Sequence, residues 1–245
     1  MRLLGKVSYK GSKYQGWQKQ TSAPTIQEEI EKVLSKILNM PISIYGSGRT
    51  DAGVHAICQT FHFDVEKEID IDRLKYSINC CLPEDIYVSE LTQVDNNFHS
   101  RYSAKAKVYK YDIQFGERDV FNKELEATIS LPTDISLLEK ALLKFEGKHD
   151  FKDFTSKEED EDGFIREIYK INLEYNYQTK KASITLSGNG FMRYMIRFIV
   201  GASLAVAQNK ESLDFIDYHL SDKTKREIIS YKAPSEGLYL VDVIY

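Results

Sequence analysis

Two alternating stretches enclose a ten-residue segment with three glycines, Gly46-Ser47-Gly48-Arg49-Thr50-Asp51-Ala52-Gly53-Val54-His55. Ile42 and Ile44 alternate with polar neighbours before it, and Ile57, Gln59, Phe61 and Phe63 run along one side after it. A period of two predicts a strand on each side and a loop between them. The glycines let that loop take backbone conformations closed to other residues, or approach another surface closely. At its centre is one carboxylate, Asp51, two residues from Arg49. A guanidinium nearby holds a carboxylate ionised, which suits a nucleophile or a base. The same pair also serves to stiffen a surface loop, so residue chemistry alone leaves both roles open.

The length of 245 residues accommodates one large domain or two small ones. No N-terminal apolar run resembles a signal peptide. The longest apolar stretch, residues 191–207, contains Arg193 and Arg197, which disfavours a membrane helix. No membrane partner is therefore expected. Cys58, Cys80 and Cys81 are odd in number and two are adjacent, which is no disulfide framework and predicts a cytoplasmic protein. His55, Cys58 and His62 have no standard zinc spacing. On a regular strand Cys58 and His62 share a face that His55 does not, so no metal is expected.

A net charge of −4 argues against nucleic-acid binding by bulk charge. Distribution decides more than the sum. The acids bunch in Glu158-Glu159-Asp160-Glu161-Asp162, while lysines and arginines recur in residues 6–19, in 101–110, and at Arg193 and Arg197. An acidic protein with a basic cleft fits this pattern.

Residues 2–9 alternate, Leu3, Val7 and Tyr9 against Arg2, Lys6 and Ser8, and read as a strand. The following loop to Gln20 carries Lys10, Lys13 and Trp17. It reads either as a surface loop with Trp17 turned inward or as a lysine-bearing arm against RNA phosphates. Thr25 to Leu38 is the clearest helix, with Ile26, Ile30, Val33, Leu34, Ile37 and Leu38 on one face. Thr25 and Glu28 form a capping box, and Pro41 follows the end. Further helices are expected over 70–79 and 135–145, and strands over 86–91, 107–115, 168–175 and 181–187. A helix beginning at Phe191 would set Arg193 and Arg197 one turn apart on nearly one face. Two short helices and a buried strand over 236–243 complete the chain. The fold class is α+β, with two similar halves, 1–104 and 105–245, of largely antiparallel sheet flanked by helices.

Arg49-Thr50-Asp51-Ala52-Gly53-Val54-His55 resembles the active-site signature of the tRNA pseudouridine synthase A (TruA) family. Other segments are similar to that family along the whole chain. They are the loop from Tyr9 to Gln20, the run Phe98-His99-Ser100-Arg101-Tyr102-Ser103-Ala104, Tyr109, the run from Gly190 to Gly201, and Glu236 to Val243. Asp150-Phe151 with Asp153-Phe154, and Arg166, approximate two more family features. The acidic stretch 157–163 departs from the pattern and is expected to lie away from RNA.

The resemblance implies the pseudouridine synthase fold with an active-site cleft between the halves. It implies conversion of uridine to pseudouridine at positions 38–40 of the tRNA anticodon stem-loop, without a cofactor, by a homodimer. It assigns Asp51 the catalytic role, Tyr109 contact with the target base, and Arg49, Arg197 and His55 substrate binding, with Arg197 matching the arginine that pairs with the catalytic Asp. Lys10, Lys13, Arg101, Lys107 and Lys110 are candidate tRNA contacts. Two other functions compete: a non-catalytic tRNA-folding chaperone on the same fold, and a metal-dependent nuclease or phosphatase. The latter needs several convergent acids, and the signature loop has no second carboxylate.

Overall fold

The computed structural model describes residues 1–159 and 163–245; Asp160, Glu161 and Asp162 of the acidic run lie outside the described residues. In chain order the elements are β1 (Arg2–Tyr9), α1 (Ile26–Leu38), β2 (Tyr45–Gly46), β3 (His55–Asp64), α2 (Ile71–Cys81), β4 (Ile86–Val94), β5 (Ala106–Phe115), β6 (Ala127–Ile129), α3 (Ile135–Leu143), β7 (Gly147–Asp150), β8 (Ile165–Asn176), β9 (Lys181–Gly188), α4 (Met195–Ala207), α5 (Leu213–Leu220) and β10 (Leu238–Ile244). Strands and helices mix as an α+β fold requires. The chain divides into two compact units, Met1–Lys105 with Tyr239–Tyr245, and Ala106–Leu238. Among the described residues no helix is long and apolar enough to cross a membrane.

In the first unit the strands run β4-β1-β3-β10, with β2 alongside β3. β1 is antiparallel to both β3 and β4, and β10 lies parallel to β3 through Tyr239 and Leu240. α1 starts where the capping pattern predicts. Thr25 Oγ1 accepts the Glu28 amide at 3.4 Å, and Asn39 ends the helix in the left-handed region at φ 53°. Ile26, Ile30 and Leu34 are fully buried.

Two expectations are corrected here. The stretch through Ile42 and Ile44 is no strand, although both side chains are buried. Its amides bond to side chains of α1: Ile42 N–H donates to Ser35 Oγ at 2.9 Å and Ile44 N–H to Glu31 Oε1 at 3.0 Å. With those donors turned to a helix, only Tyr45 and Gly46 pair with β3. The second correction is a bulge in β3. Val7 faces Gln59 and Tyr9 faces Ala56, so Ser8 stands opposite both Ile57 and Cys58. The extra residue shifts the alternation. Ala56 therefore shares the face of Gln59, Phe61 and Phe63, while Ile57 is 50% exposed. The shift also brings His55 to the His62 side of the strand, which a regular strand would not do.

The second unit has the antiparallel order β5-β9-β8-β7, with β6 parallel to β5. Tyr109, Tyr111, Ile113 and Phe115 lie on the buried face of β5, as their spacing predicts. α3 packs on α4, whose residues are all buried except Arg197. α4 begins at Met195 and not at Phe191. Tyr194 caps it in the left-handed region at φ 63°, which breaks the helical path between Arg193 and Met195. Arg193 and Arg197 are thus not one turn apart on one helix. Where two short helices were expected, one is found, α5; residues 222–237 are irregular.

A buried charge cluster ties that irregular segment to the unit. Asp153 is 0% exposed and accepts from His219 Nδ1 at 2.6 Å, Lys223 Nζ at 2.6 Å and the Glu227 amide at 2.8 Å. Burial pushes its carboxyl up, but the bonds from Lys223, Glu227 and His219 together hold it below the usual carboxylate range. A depressed folded-state pKa contributes stability that is fully present above the unfolded value, about 3.9, and is lost as pH falls through the folded value. Asp153→Ala should destabilise the protein by about 3 kcal/mol at pH 7, because it takes a fully buried acceptor away from the half-buried Lys223 and the buried His219. Urea unfolding at pH 7 checks this, and a loss under about 1 kcal/mol would contradict it. The part of the loss that comes from the ionised carboxylate should shrink as pH drops below about 4.

Candidate active site

In the first unit the signature loop is held by the arm that follows β1. Trp17 N–H donates to the Thr50 carbonyl at 3.1 Å, and Gly53 N–H donates to the Tyr14 carbonyl at 3.3 Å. Tyr9 Oη and Thr50 Oγ1 share a hydrogen bond of 2.8 Å. Val54 N–H returns to the Asp51 carbonyl at 3.1 Å, closing a tight turn. Asp51 therefore stands half-buried between two backbone anchors, Thr50 before it and Gly53 after it, while Arg49 is exposed.

The close fit explains two glycines of the arm. A Cβ on Gly11 would meet the Val54 carbonyl oxygen at 2.0 Å, and one on Gly16, itself at φ +90°, would meet that of Thr50 at 2.6 Å. Trp17 is 2% exposed, with its ring centroid 6.1 Å from that of Tyr9 and 6.3 Å from that of Phe61. Of the two roles open for residues 9–20, packing of Trp17 is what the structure shows.

The start of the loop is fixed from β3. Ser47 N–H donates to the Thr60 carbonyl at 2.8 Å, Ser47 Oγ donates to Gln59 Oε1 at 2.5 Å, and Gln59 Nε2 donates to the Gly48 carbonyl at 2.9 Å. His55 is 1% exposed; its Nδ1 accepts the Gly11 amide at 3.1 Å, and its ring stacks on Tyr239 at 4.7 Å. His62 has its own partner: Nδ1 accepts the Ser100 amide at 3.2 Å. Burial, with the nearby His99 and Arg2, pulls its pKa down to about 4, so it is neutral at pH 7. Among the described residues no three His, Cys, Asp or Glu side chains group to hold a metal ion.

Other candidates of this unit lie on its surface. Lys13 reaches Asp85 at 3.4 Å, and the Lys10 amide donates to the Asp85 carbonyl at 2.9 Å. Arg101 lies 5.5 Å from the centroid of the exposed Tyr102 ring.

In the second unit Tyr109 opens the face of β5 opposite Leu186, 8% exposed, and meets Phe191 edge to face at 5.2 Å. Lys107 and Lys110 are half-buried on the same strand. Lys110 pairs with Asp112 at 2.6 Å, which offsets its charge toward a phosphate. Arg197 donates from Nε to the Ala233 carbonyl at 2.8 Å and lies 5.3 Å from the Tyr194 ring centroid. Tyr111, on β5, donates its hydroxyl to the Pro234 carbonyl at 2.8 Å. Burial raises its pKa well above the ordinary tyrosine value, with Glu236 adding to the shift and Arg197 opposing it.

The family model for tRNA pseudouridine synthases matches residues 6–103 and 141–245. The chain belongs to the tRNA pseudouridine synthase family. A tRNA pseudouridine synthase A of Geobacillus sp. (strain WCH70) is 38% identical over 246 residues, covering 100% of this chain and 98% of the relative. One from Staphylococcus carnosus (strain TM300) is 36% identical, covering 98% of this chain and 89% of the relative. Among solved structures, a Cbf5-Nop10-Gar1 complex aligns at TM-score 0.39 and 10% identity, covering 98% of this chain and 58% of that one. Membership in the tRNA pseudouridine synthase family makes the chain an isomerase of uridine in tRNA. Arg49, Asp51, His55, Arg101 and Arg197 fall inside the matched residues, and Lys107, Tyr109 and Lys110 fall between the two matched stretches.

Proposed function

We propose that the chain converts uridine to pseudouridine within positions 38–40 of the tRNA anticodon stem-loop, acting as a cytoplasmic homodimer. One observation carries the reading: the signature loop presents a single half-buried carboxylate, Asp51, with its backbone anchored before and after it. A carboxylate held in one place suits a reaction that depends on alignment with the reacting atoms. In the isomerisation the N1–C1′ bond breaks, the uracil turns over, and a C5–C1′ bond forms. The proton on C5 leaves and N1 gains one, so atoms and electrons balance without a cofactor. A stacked base cannot turn over, so the nucleotide leaves its stack.

Asp51 is the catalytic carboxylate in this reading. Tyr109 contacts the base, offering a ring to stack and a hydroxyl to bond. Arg49 and Arg197 hold the flipped nucleotide, and His55 serves the substrate by holding Gly11 and with it the arm. Residues 1–104 supply the carboxylate, and residues 105–245 the tyrosine and Arg197. Lys10, Lys13, Arg101, Lys107 and Lys110 meet the RNA backbone. Tritium at C5 of uracil should appear in water on incubation with tRNA, and an anticodon stem-loop transcript should suffice. Binding without tritium release would favour the chaperone reading instead.

A protein of net charge −4 grips tRNA only through local basic patches. Its affinity should fall about 10-fold or more between 50 and 200 mM salt, as several phosphate contacts require. An affinity independent of salt would contradict the assignment of the five basic residues.

A further inference from the structure

Beside Arg197, the second unit carries three residues that the chemistry above leaves unused: Arg193, Tyr194 and Lys232. The Tyr194 ring has three cations around it. Lys232 Nζ lies 4.4 Å from its centroid, the Arg193 guanidinium 4.8 Å and that of Arg197 5.3 Å. Arg193 also donates to the Tyr194 hydroxyl at 3.0 Å. We propose that Arg193, Tyr194 and Lys232 form a seat for one phosphodiester of the RNA backbone, a proposal that rests on the tRNA reading.

The cluster is built from several directions. The Arg193 carbonyl accepts from Thr155 Oγ1 at 3.0 Å and from the Ser156 amide at 3.4 Å. Lys232 is placed by its neighbours. The Ala233 amide donates to the Arg197 carbonyl at 2.9 Å, and Arg197 Nε donates back to the Ala233 carbonyl at 2.8 Å. On its other side the Tyr231 carbonyl presses on α4, where a Cβ on Gly201 would meet its oxygen at 2.5 Å. Tyr194 holds its ring there from a left-handed backbone at φ 63°, a conformation disfavoured for an aromatic residue and kept by its surroundings.

Arg193 and Lys232, like charges within about 10 Å, one Debye length at 0.1 M salt, repel one another. Neither Arg193 nor Lys232 has an ion pair among the described residues. The ring attracts cations over its faces, yet an anion is what neutralises Arg193 and Lys232 together. Arg193 and Lys232 are exposed, so that anion can arrive from solvent. Arginine and lysine donors around one point suit the several oxygens of a phosphate. For an isomerase of tRNA uridine, the RNA backbone is the polyanion at hand.

The test is tRNA affinity against salt for the wild type and for Arg193→Ala/Lys232→Ala, with thermal unfolding to confirm the fold. Neutralising the seat should flatten the slope of log K against log salt by about 0.7–0.9, the value of one phosphate contact, and weaken binding at low salt about 10-fold. The conservative Lys232→Arg should keep the wild-type slope. If the alanine pair does not fold, Arg193→Gln/Lys232→Gln removes the same charge with less loss of packing and should give the same slope change. A folded double variant with the wild-type slope and affinity would overturn the seat while leaving the tRNA reading intact. A wild type that neither binds nor modifies tRNA would overturn that reading and the seat with it.

Discussion

Asp51→Asn should form no detectable pseudouridine while binding tRNA as tightly as the wild type. The substitution keeps the shape of the side chain and removes its charge and basicity. The loop should stay in place, because backbone bonds hold it around Asp51: Trp17 to Thr50, Gly53 to Tyr14, and Val54 back to the Asp51 carbonyl. An amide retains all three. If the carboxylate carries the chemistry, the loss is at least about 10⁴-fold in single-turnover rate, or more than about 5 kcal/mol of transition-state stabilisation. If Asp51 only stiffened the loop, Asn would cost a few-fold in rate and shift the thermal midpoint. The two roles left open by the residue chemistry are thereby separated. Measurable turnover by pure Asp51→Asn protein would sink the catalytic assignment.

Arg197→Met should lower the single-turnover rate by about 100-fold or more, the effect of losing one fixed charge or donor at a reaction centre. Arg197 is the only residue of α4 that is not buried, in a helix with no other charged residue. Its position is fixed by the bond to the Ala233 carbonyl and by the Tyr194 ring. Met keeps the stem volume but loses that bond, so a stability loss of about 1 kcal/mol accompanies the change. Arg197→Lys separates the two effects, since it restores the charge without the planar fork. It should recover part of the rate. Near-native turnover by folded Arg197→Met protein would show that the charge has no part in the reaction.

Most elements were legible because their patterns are local. Thr25 caps α1 where the capping box predicts, although the Glu28 side chain turns to Lys32 and not back to Thr25, and the apolar face of β5 followed from strict alternation. The misreadings came from partners far along the chain. Ile42 and Ile44 alternate like a strand, yet their amides are claimed by Ser35 and Glu31 on α1. The bulge opposite Ser8 moves Ile57 out of the core, and no residue type in β3 announces it. The late start of α4 depends on one left-handed residue, Tyr194, which is not a glycine or asparagine and gives no sequence signal. At the candidate site, the motif pointed to Asp51. The docking of the arm on it required Gly11 and Gly16 to meet carbonyls of the loop, a contact only the folded chain reveals. Lys232 joins Arg193 through the path of residues 231–233 across α4 and could not be found from spacing.

The measurement closest to the central claim is position-by-position mapping of pseudouridine in tRNA after incubation with the purified protein. Pseudouridine should appear at one or more of positions 38, 39 and 40 of the anticodon stem-loop, and should be absent from tRNA treated with Asp51→Asn protein. Pseudouridine only outside that stem-loop, or none with the wild-type protein, would contradict the account.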